Sequence, residues 1–421
     1  MSSAATHEHV GMSSSIDITR IARDIAAIAG FSEEPPATGY SRPTFSAAWA
    51  VARDYIIAEA AKTGCRHRID AAGNVHLRPA GLAWETPAWL SGSHLDSVPT
   101  GGKYDGVVGV VVPLEVLRAH PQAPLELVLF AEEEGTTFNL GMLGSRIWAG
   151  GGATLTAADL AKLRNKHGQS PLEAGRPHGV DPSRFALDKL NAAHYRGFIE
   201  VHVEQGLAMW DQNMPVGVVT VINGRRQYAC TITGKPNHAG STEMGGRHDA
   251  LAAFAEILWQ LEQGALRLNA ESAHTVLTVG QLFVRPNAIN VIPGEVVFTI
   301  DFRAQTAKML DVGNRMIAAD IEGICHRRQL TFDLQRTEAL PPVPMSSAVC
   351  RALRTAATSL GISLPDVASG ALHDAAILAP LLATAMLFVA SKDGISHNPA
   401  EFSRVEDIAL AARILAATVT A

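Results

Sequence analysis

The stretch Ala88-Trp89-Leu90-Ser91-Gly92-Ser93-His94-Leu95-Asp96, continued by Tyr104-Asp105-Gly106, decides how the chain is organised. Its first three residues are apolar, and we interpret them as the end of a buried strand. His94 and Asp96 are two residues apart, and on a strand this spacing places both side chains on one face. Imidazole and carboxylate groups at the end of a strand suit a divalent metal ion, although a lone His-x-Asp is more often part of a polar loop.

Length and composition restrict the class of protein. The 421 residues, with 47% hydrophobic and 18% charged content, predict a soluble globular protein of two domains. A net charge of −6 gives no reason to expect nucleic acid or a membrane surface as a partner, and no apolar stretch is long enough to cross a bilayer. The four cysteines form no Cys-x-x-Cys pair, and residues 1–15 carry no signal-peptide pattern. We therefore expect a cytoplasmic protein whose residues 1–15 form a disordered tail.

Two patterns of predicted elements divide the chain. Over residues 16–220 helices alternate with strands, with helices at 16–29, 44–63, 107–119, 156–165 and 185–190 and strands at 125–131 and 198–206. Residues 221–334 follow the order β-α-β-β-α-β, and the first pattern returns over 335–421. The expected fold is α/β, with a discontinuous catalytic domain (16–220 and 335–421) built on a mostly parallel sheet, and an inserted ferredoxin-like α+β domain (221–334).

Ionisable side chains follow the predicted strands or flank Gly-rich turns at six places: His94 with Asp96, Asp105, Glu133 with Glu134, His202, His373 with Asp374, and His397. In parallel sheets, functional groups gather beyond the carboxyl ends of the strands. This set suits two metal ions about 3.5–4 Å apart that share a carboxylate. A Glu that is not a ligand would be available as a general base.

These motifs together resemble the M20-type metallopeptidase clan and, within it, the hydantoinase/carbamoylase group of amidases. The resemblance covers nearly the whole chain after the tail. Its motifs are Gly92-Ser93-His94-Leu95-Asp96, Gly101-Gly102-Lys103-Tyr104-Asp105-Gly106, Glu133-Glu134-Gly135, His202-Val203-Glu204-Gln205-Gly206, His238-Ala239-Gly240 and Ser396-His397-Asn398-Pro399-Ala400-Glu401. The peptidase branch usually has an acidic ligand where this chain has His202, so this residue indicates the amidase branch.

The resemblance implies a centre of two divalent ions (Zn, or Mn, Co or Ni), with His94 and His202 on one ion, Glu134 and His397 on the other, and Asp105 between them. Glu133 would be the general base toward the attacking water. Asp96 would hold the ring of His94 in one tautomer. Members of the family also tend to have a cis peptide after the bridging Asp, so we expect one at Asp105-Gly106.

The inserted domain resembles the family's lid and dimerisation domain, which implies a homodimer. His238 matches the position that stabilises the oxyanion, often from the partner subunit. Asn290 and Arg303 match substrate-binding positions, and Arg303 offers a fork for a substrate carboxylate. Gln205 and His373 match positions beside the substrate. Leu372 departs from the common Gly-Ala-Gly-His-Asp pattern, which leaves the substrate open.

The implied activity is hydrolysis of the carbamoyl C–N bond of an N-carbamoyl-L-amino acid to the amino acid, ammonia and carbon dioxide. Allantoate is a close alternative, because it also presents a ureido group and a carboxylate. An N-acyl-amino-acid amidase would use the same machinery. A metal-free relative kept as a binding module is a remote alternative, against which the candidate ligands at all five positions argue.

Overall fold

The computed structural model describes residues 15–35 and 38–421, so the predicted tail lies outside the described residues except for Ser15. The chain divides into two units, each described separately. The first contains the described residues up to Thr220 together with Met345–Val367 and Leu372–Ala421, and the second contains Val221–Pro344 and Ala368–Ala371. Within the described ranges, no helix combines the length and the apolar character needed to span a membrane.

The chain up to the second unit alternates helices and strands. Its helices are α1 (Ile18–Gly30), α2 (Ala47–Ala61), α3 (Val107–Ala119), α4 (Leu143–Gly150), α5 (Ala157–Leu160), α6 (Pro171–Gly175) and α7 (Ala208–Asp211). Its strands are β1 (Tyr40–Arg42), β2 (Cys65–Ile69), β3 (Val75–Pro79), β4 (Ala88–His94), β5 (Ser97–Gly101), β6 (Leu125–Phe130), β7 (Tyr195–Val203) and β8 (Val216–Ile222).

The second unit and the returning chain supply the remaining elements. The strands and helices of the second unit are β9 (Gly224–Thr233), α8 (Ala250–Glu271), β10 (Val276–Thr278), β11 (Leu282–Arg285), β12 (Glu295–Ala304), α9 (Ala307–Arg327), β13 (Thr331–Leu340) and β14 (Val343–Pro344). After it come α10 (Ser347–Ser359), β15 (Asp366–Ser369), α11 (Asp374–Leu378), β16 (Thr384–Val389) and α12 (Val405–Thr420).

The main sheet of the first unit places its strands in the order β8-β16-β7-β4-β6-β3-β2. The four central strands β16, β7, β4 and β6 run parallel, whereas β8, β3 and β2 pair antiparallel at the two sides. The predicted α/β class is confirmed, with a sheet that is mixed rather than parallel throughout. All four central strands end at the same edge, and His94 is the last residue of β4.

Helix α3 packs against this sheet and starts at Val107, two residues after Asp105. All of its residues are buried: Val107 to Leu114 carry no charge, and Glu115 and Arg118 farther along the helix are ion-paired. A Cβ atom on Gly109 would lie 2.4 Å from the carbonyl oxygen of Val201 and 2.5 Å from Cβ of Ser93, so glycine permits this close approach. The helix therefore fixes the position of Asp105 relative to strands β4 and β7.

The predicted cis peptide at Asp105-Gly106 is wrong, because the cis peptide among the described residues is Arg285-Pro286. The chain turns instead through Gly106 itself, whose backbone has φ 67° and ψ −43°. Positive φ is accessible to glycine without steric cost. A Cβ atom there would also lie 2.5 Å from the ring of His94.

Three local predictions also need correction. The apolar run 88–90 begins β4 rather than ending a strand, because Ser91 to His94 continue the ladder with β6. The helix predicted at 156–165 is only α5, which starts at a capping box between Thr156 and Asp159. The helix predicted at 185–190 is absent, and the amides of Leu187 and Asp188 share the carbonyl of Arg184 in a single turn.

The sheet of the second unit has the order β10-β12-β9-β13, with β11 also paired to β12. All of these pairs are antiparallel, which is the arrangement predicted from the order β-α-β-β-α-β. Helices α8 and α9 cover one face of the sheet. The core between these helices and the sheet includes Ile257, Leu261, Phe298, Phe302, Ile317 and Ile321.

Arg118 of α3 joins three helices of the first unit through a buried ion-pair network. Its guanidinium contacts Asp24 of α1 and lies 2.6 Å from Oε2 of Glu59 on α2, with only 5% of its side chain exposed. Arg118→Met should lower the free energy of unfolding by about 3–5 kcal/mol in urea titrations, because two carboxylates lose their shared partner. Lys162→Ala, which breaks an exposed pair with Asp159, is the control and should change it by less than about 1 kcal/mol. Equal effects of the two substitutions would contradict this account.

Candidate metal centre

Asp105 lies at the centre of a cluster at the carboxyl edge of the parallel strands. Its Oδ1 is 3.1 Å from Nε2 of His202 and 3.6 Å from Nε2 of His94. Its Oδ2 is 3.3 Å from Nε2 of His397, and that same nitrogen is 3.5 Å from Oε2 of Glu134. The structure therefore brings the five proposed ligands together, although they come from widely separated parts of the chain.

The five side chains form two groups that share Asp105. His94, Asp105 and His202 form the first group, and Asp105, Glu134 and His397 form the second. Within each group the candidate ligand atoms lie within 4.8 Å of one another. One carboxylate that offers a different oxygen to each group is the arrangement expected for a bridge between two ions.

The hydrogen bonds of the histidines fit metal ligation. Nδ1 of His94 lies 2.8 Å from the carbonyl oxygen of Asp96, and Nδ1 of His202 lies 2.9 Å from that of Val203. A carbonyl can only accept, so each Nδ1 carries a proton and donates it. When an ion is bound, the neutral rings would present their Nε2 lone pairs to it, and Nε2 of His202 is buried without a hydrogen-bond partner. Metal-ligating histidines are typically oriented in this way.

The carboxylates of the cluster also favour a cation. Burial and the charge of Asp105 raise the pKa of Glu134 to about 8, and its Oε1 has no hydrogen-bond partner. Burial would likewise raise the pKa of Asp105, but the imidazoles of His202, His397 and His94 hold it well below its usual value. Positive charge at this position would relieve the repulsion among the remaining carboxylates.

Glu133, the proposed base, faces the first group of ligands. Its Oε2 lies 3.7 Å from Nε2 of His94, and its side chain is largely buried. Burial raises the pKa of Glu133 well above its usual value; nearby His94 opposes this shift, and the carboxylates of Asp374 and Glu134 add to it. Burial that raises the pKa of a carboxylate toward the working pH makes that carboxylate a more effective general base.

Asp96 supports the cluster through different atoms from those expected. Its carboxylate oxygen Oδ1 lies 3.8 Å from Nδ1 of His94, beyond a hydrogen bond, and the His94 ring is held by the Asp96 backbone carbonyl instead. The other carboxylate oxygen accepts a hydrogen bond of 3.1 Å from the backbone amide of Glu134. Asp96 thus connects a ligand of each group.

Two glutamates that sequence reasoning left without a role also shape the centre. Glu401 accepts hydrogen bonds from the amides of Tyr104 (2.8 Å) and Asp105 (3.1 Å) and from the hydroxyl of Ser396 (3.0 Å). Buried Glu132 accepts from the amides of Thr137 and Phe138, both at 2.8 Å, and closes the turn after β6. For Glu401, the only signal in the sequence was its position within a family motif. For Glu132, the run of three glutamates gave no sign that its role differs from those of Glu133 and Glu134.

Gln205 and His373 lie against the cluster in the first unit. The side-chain amide of Gln205 donates to Oδ2 of Asp105 at 2.8 Å. The ring of His373 packs edge-on against that of His202, with centroids 4.5 Å apart. Burial and the neighbouring imidazole hold the pKa of His373 well below its usual value.

The three remaining predicted residues belong to the second unit. Nδ1 of His238 accepts a hydrogen bond of 3.0 Å from the amide of Gly240, so the neutral ring carries its proton on Nε2. Arg303 is held by both carboxylate oxygens of Asp301, at 2.7 and 3.2 Å, and donates to the carbonyl of Gly370. Asn290 accepts through its backbone carbonyl from Ala239. None of the three belongs to the cluster in the first unit.

Comparisons with known proteins agree with this chemistry. Peptidase family M20/M25/M40 matches residues 90–421. The chain is 38% identical to an N-carbamoyl-L-amino acid amidohydrolase of Geobacillus stearothermophilus (91% of this chain, 93% of the relative) and 33% identical to an allantoate amidohydrolase of Escherichia coli strain K12 (90% and 92%). A hydantoinase/carbamoylase family amidase from Burkholderia multivorans has a similar structure, with a TM-score of 0.86 at 30% identity over 96% of this chain and 98% of that one.

Proposed function

Because the chain belongs to peptidase family M20/M25/M40 and to its hydantoinase/carbamoylase amidases, we propose that it hydrolyses the carbamoyl C–N bond of N-carbamoyl-L-amino acids. The observation that carries this proposal is the pair of ligand groups that share Asp105 beside Glu133. His202 in the first group supports an amidase rather than a peptidase. The four cysteines, Cys65, Cys230, Cys325 and Cys350, are free, which fits the cytoplasmic location that we also propose.

The chain's own residues account for the steps of hydrolysis. His94, His202, Glu134, His397 and Asp105 would hold two divalent ions, which supply Lewis acidity at the scissile carbonyl and at the attacking water. Glu133 takes a proton from the water as it adds to the carbamoyl carbon. It then delivers that proton to the nitrogen that leaves as the C–N bond breaks. Cleavage of this one C–N bond leaves a carbamic acid on the other nitrogen, which loses carbon dioxide spontaneously, so the final products are the amino acid, ammonia and carbon dioxide.

The substrate class is tested by an ammonia-release panel on enzyme loaded separately with Zn, Mn, Co or Ni. N-carbamoyl-L-amino acids should give the highest kcat/KM, and their D-enantiomers serve as the matched control. Allantoate is the second candidate, because it would present the same ureido and carboxylate groups and because one compared relative is an allantoate amidohydrolase. Release of ammonia from allantoate alone, or hydrolysis of N-acyl amino acids alone, would overturn the proposed substrate.

In the second unit, Arg303 and His238 should affect different kinetic constants. Arg303→Ala should raise KM for carboxylate substrates about 10- to 100-fold, because the charge-assisted fork contacts the ground state and the transition state alike. His238→Ala should lower kcat about 100- to 1,000-fold, because an oxyanion donor acts chiefly in the transition state. Steady-state kinetics on the best panel substrate measure both constants. Unchanged kinetics in both variants would refute a substrate role for the second unit.

We propose that the second unit also forms a two-fold homodimer. Helix α8 exposes Leu251, Leu258, Trp259 and Leu266 on its outer side, with Trp259 58% and Leu266 59% exposed. Strand β11 of the same unit exposes Leu282 and Phe283. Large apolar side chains exposed along one face of a helix typically mark an interface with another protein, and a second copy would bury them on both partners.

Trp259→Glu should therefore convert the protein from a dimer to a monomer in sedimentation velocity experiments. A charge buried at the centre of an apolar interface lacks a partner and is strongly unfavourable. Leu187→Glu, which changes an isolated leucine of the first unit that is 81% exposed, is the control and should leave the dimer intact. A wild-type protein that sediments as a monomer would contradict the proposal.

A further inference from the structure

The turn that carries Glu133 and Glu134 is attached to the start of α4. The amides of Met142, Leu143 and Gly144 donate to the carbonyls of Glu133 (2.9 Å), Glu132 (3.0 Å) and Ala131 (2.8 Å). Ala131 is the first residue after β6 and the origin of the turn. The direction in which both catalytic carboxylates leave the sheet therefore depends on where the Ala131 peptide is held.

The side chain of Asn74, which lies immediately before β3, holds that peptide. Its Oδ1 accepts a hydrogen bond of 3.0 Å from the amide of Ala131, and its Nδ2 donates to the carbonyl of Gly144 at 3.1 Å. Nδ2 also donates to Oδ2 of Asp70 at 2.9 Å. Both N–H groups of Nδ2 are therefore used. The orientation of the side-chain amide is fixed, because only Oδ1 can accept the hydrogen bond from Ala131. The side chain is completely buried.

Gly144 shows how closely this amide fits between β6 and α4. A Cβ atom at Gly144 would lie 2.0 Å from Oδ1 of Asn74 and 2.8 Å from the nitrogen of Ala131. Any side chain there would push Asn74 away from the peptide that it holds. The contact thus requires an amide on one side and a glycine on the other.

Asn74 is also part of a buried network of polar side chains that runs along β3. Oδ2 of Asp70 lies 3.1 Å from Nε2 of His76, whose Nδ1 lies 2.8 Å from Oε1 of Glu126. Arg78 donates to the other oxygen of Glu126 at 2.7 Å. Glu126 lies at the start of β6, the end of that strand opposite to the turn, so Arg78 belongs to the same network without touching the turn.

We propose that Asn74 is a positioning residue for the reaction: by fixing the Ala131 peptide, it directs Glu133 and Glu134 at the metal centre. A carboxylate in its place could accept from Ala131 but could donate neither to Gly144 nor to Asp70. The inference rests on the proposed function, because it concerns the base and one ligand of that reaction.

The test compares Asn74→Ala and Gly144→Ala with Arg78→Met, which weakens the same buried network at the far end. Calorimetric titration of metal-free protein with Co²⁺ measures affinity, and the visible spectrum of the cobalt form reports the geometry of the ligands. Both test variants should lose about 10- to 100-fold in metal affinity, as for other residues that orient ligands. Their kcat at saturating metal should fall by about 100-fold, the effect of displacing a catalytic group by about 1 Å, with KM nearly unchanged.

Arg78→Met should lower the melting temperature but keep the wild-type cobalt spectrum, affinity and kcat. If Asn74→Ala does not fold, Asn74→Ser and Gly144→Ala decide the question. The inference is overturned if these variants melt earlier yet match Arg78→Met in spectrum, affinity and kcat. A wild-type protein that binds no divalent ion would instead refute the proposed function, so the two failures are distinguishable.

Discussion

Glu133→Gln should lower kcat by about 100-fold or more while leaving the metal content near that of the wild type. The amide keeps the shape of the side chain but cannot take a proton from water. Glu133 faces the centre at 3.7 Å from His94, yet it belongs to neither group of ligand atoms that lie close together. Metal analysis by mass spectrometry and steady-state ammonia release measure the two effects on the same protein preparations.

Glu134→Gln is the matched control for this prediction, because it changes the adjacent residue in the same way. Glu134 lies 3.5 Å from His397 within the second ligand group, so its amide variant should bind less metal. Added metal should restore part of the activity of Glu134→Gln and none of that of Glu133→Gln. If Glu133→Gln lost metal and Glu134→Gln kept it, the roles of the two residues would have to be exchanged.

Asp105→Asn should abolish binding of both ions and, with it, activity. Removal of a residue that only orients a ligand typically costs 10–100-fold in metal affinity, and removal of a shared ligand should cost more than about 100-fold. The amide has one acceptor oxygen and no charge, whereas Asp105 presents separate oxygens to His202 and to His397. Titration of the metal-free variant with Zn²⁺ or Mn²⁺ should therefore detect neither site at concentrations that saturate the wild type.

Ser396→Ala provides the control for Asp105→Asn. The hydroxyl oxygen of Ser396 lies 3.2 Å from Oδ2 of Asp105, the oxygen nearest to His397, but Ser396 is not a proposed ligand. This variant should keep two bound ions. Retention of two equivalents by Asp105→Asn would show that the histidines and Glu134 form the sites without a bridge.

The sequence predicts the helices and strands of this fold best where a long apolar segment has to be buried. Helix α3 occupies the predicted residues 107–119, because the apolar run from Val107 to Leu114 is long enough to require burial as a central helix, and the charged residues after it are ion-paired. The helix predicted at 185–190 is absent, because Phe185 and Leu190 are buried separately, within an irregular segment. Apolar spacing over six residues does not separate these two cases.

In the candidate site, too, some residues could be identified from the sequence and others could not. Histidines and carboxylates that follow strands were recognisable, because metal chemistry restricts which side chains can serve. Asn74 and Glu401 were not, because their roles lie in hydrogen bonds to backbone amides of remote segments. Asparagine and glutamate make such bonds in many ordinary turns, so residue type alone carries no signal. The cis peptide was expected from the family alone; Asp105-Gly106 is not a cis bond in the structure, and Gly106 turns the chain with a positive φ.

The position of β16 has a consequence for synthesis on the ribosome. This strand lies between β7 and β8, parallel to the first and antiparallel to the second, although the whole second unit is translated before it. At about 5–20 residues per second, β7 and β8 wait on the order of ten seconds with open edges. Open edges pair readily with other chains, so we expect nascent molecules to be prone to aggregation during this interval. A nonsense mutation before residue 384 would accordingly yield aggregation-prone fragments rather than a shortened enzyme.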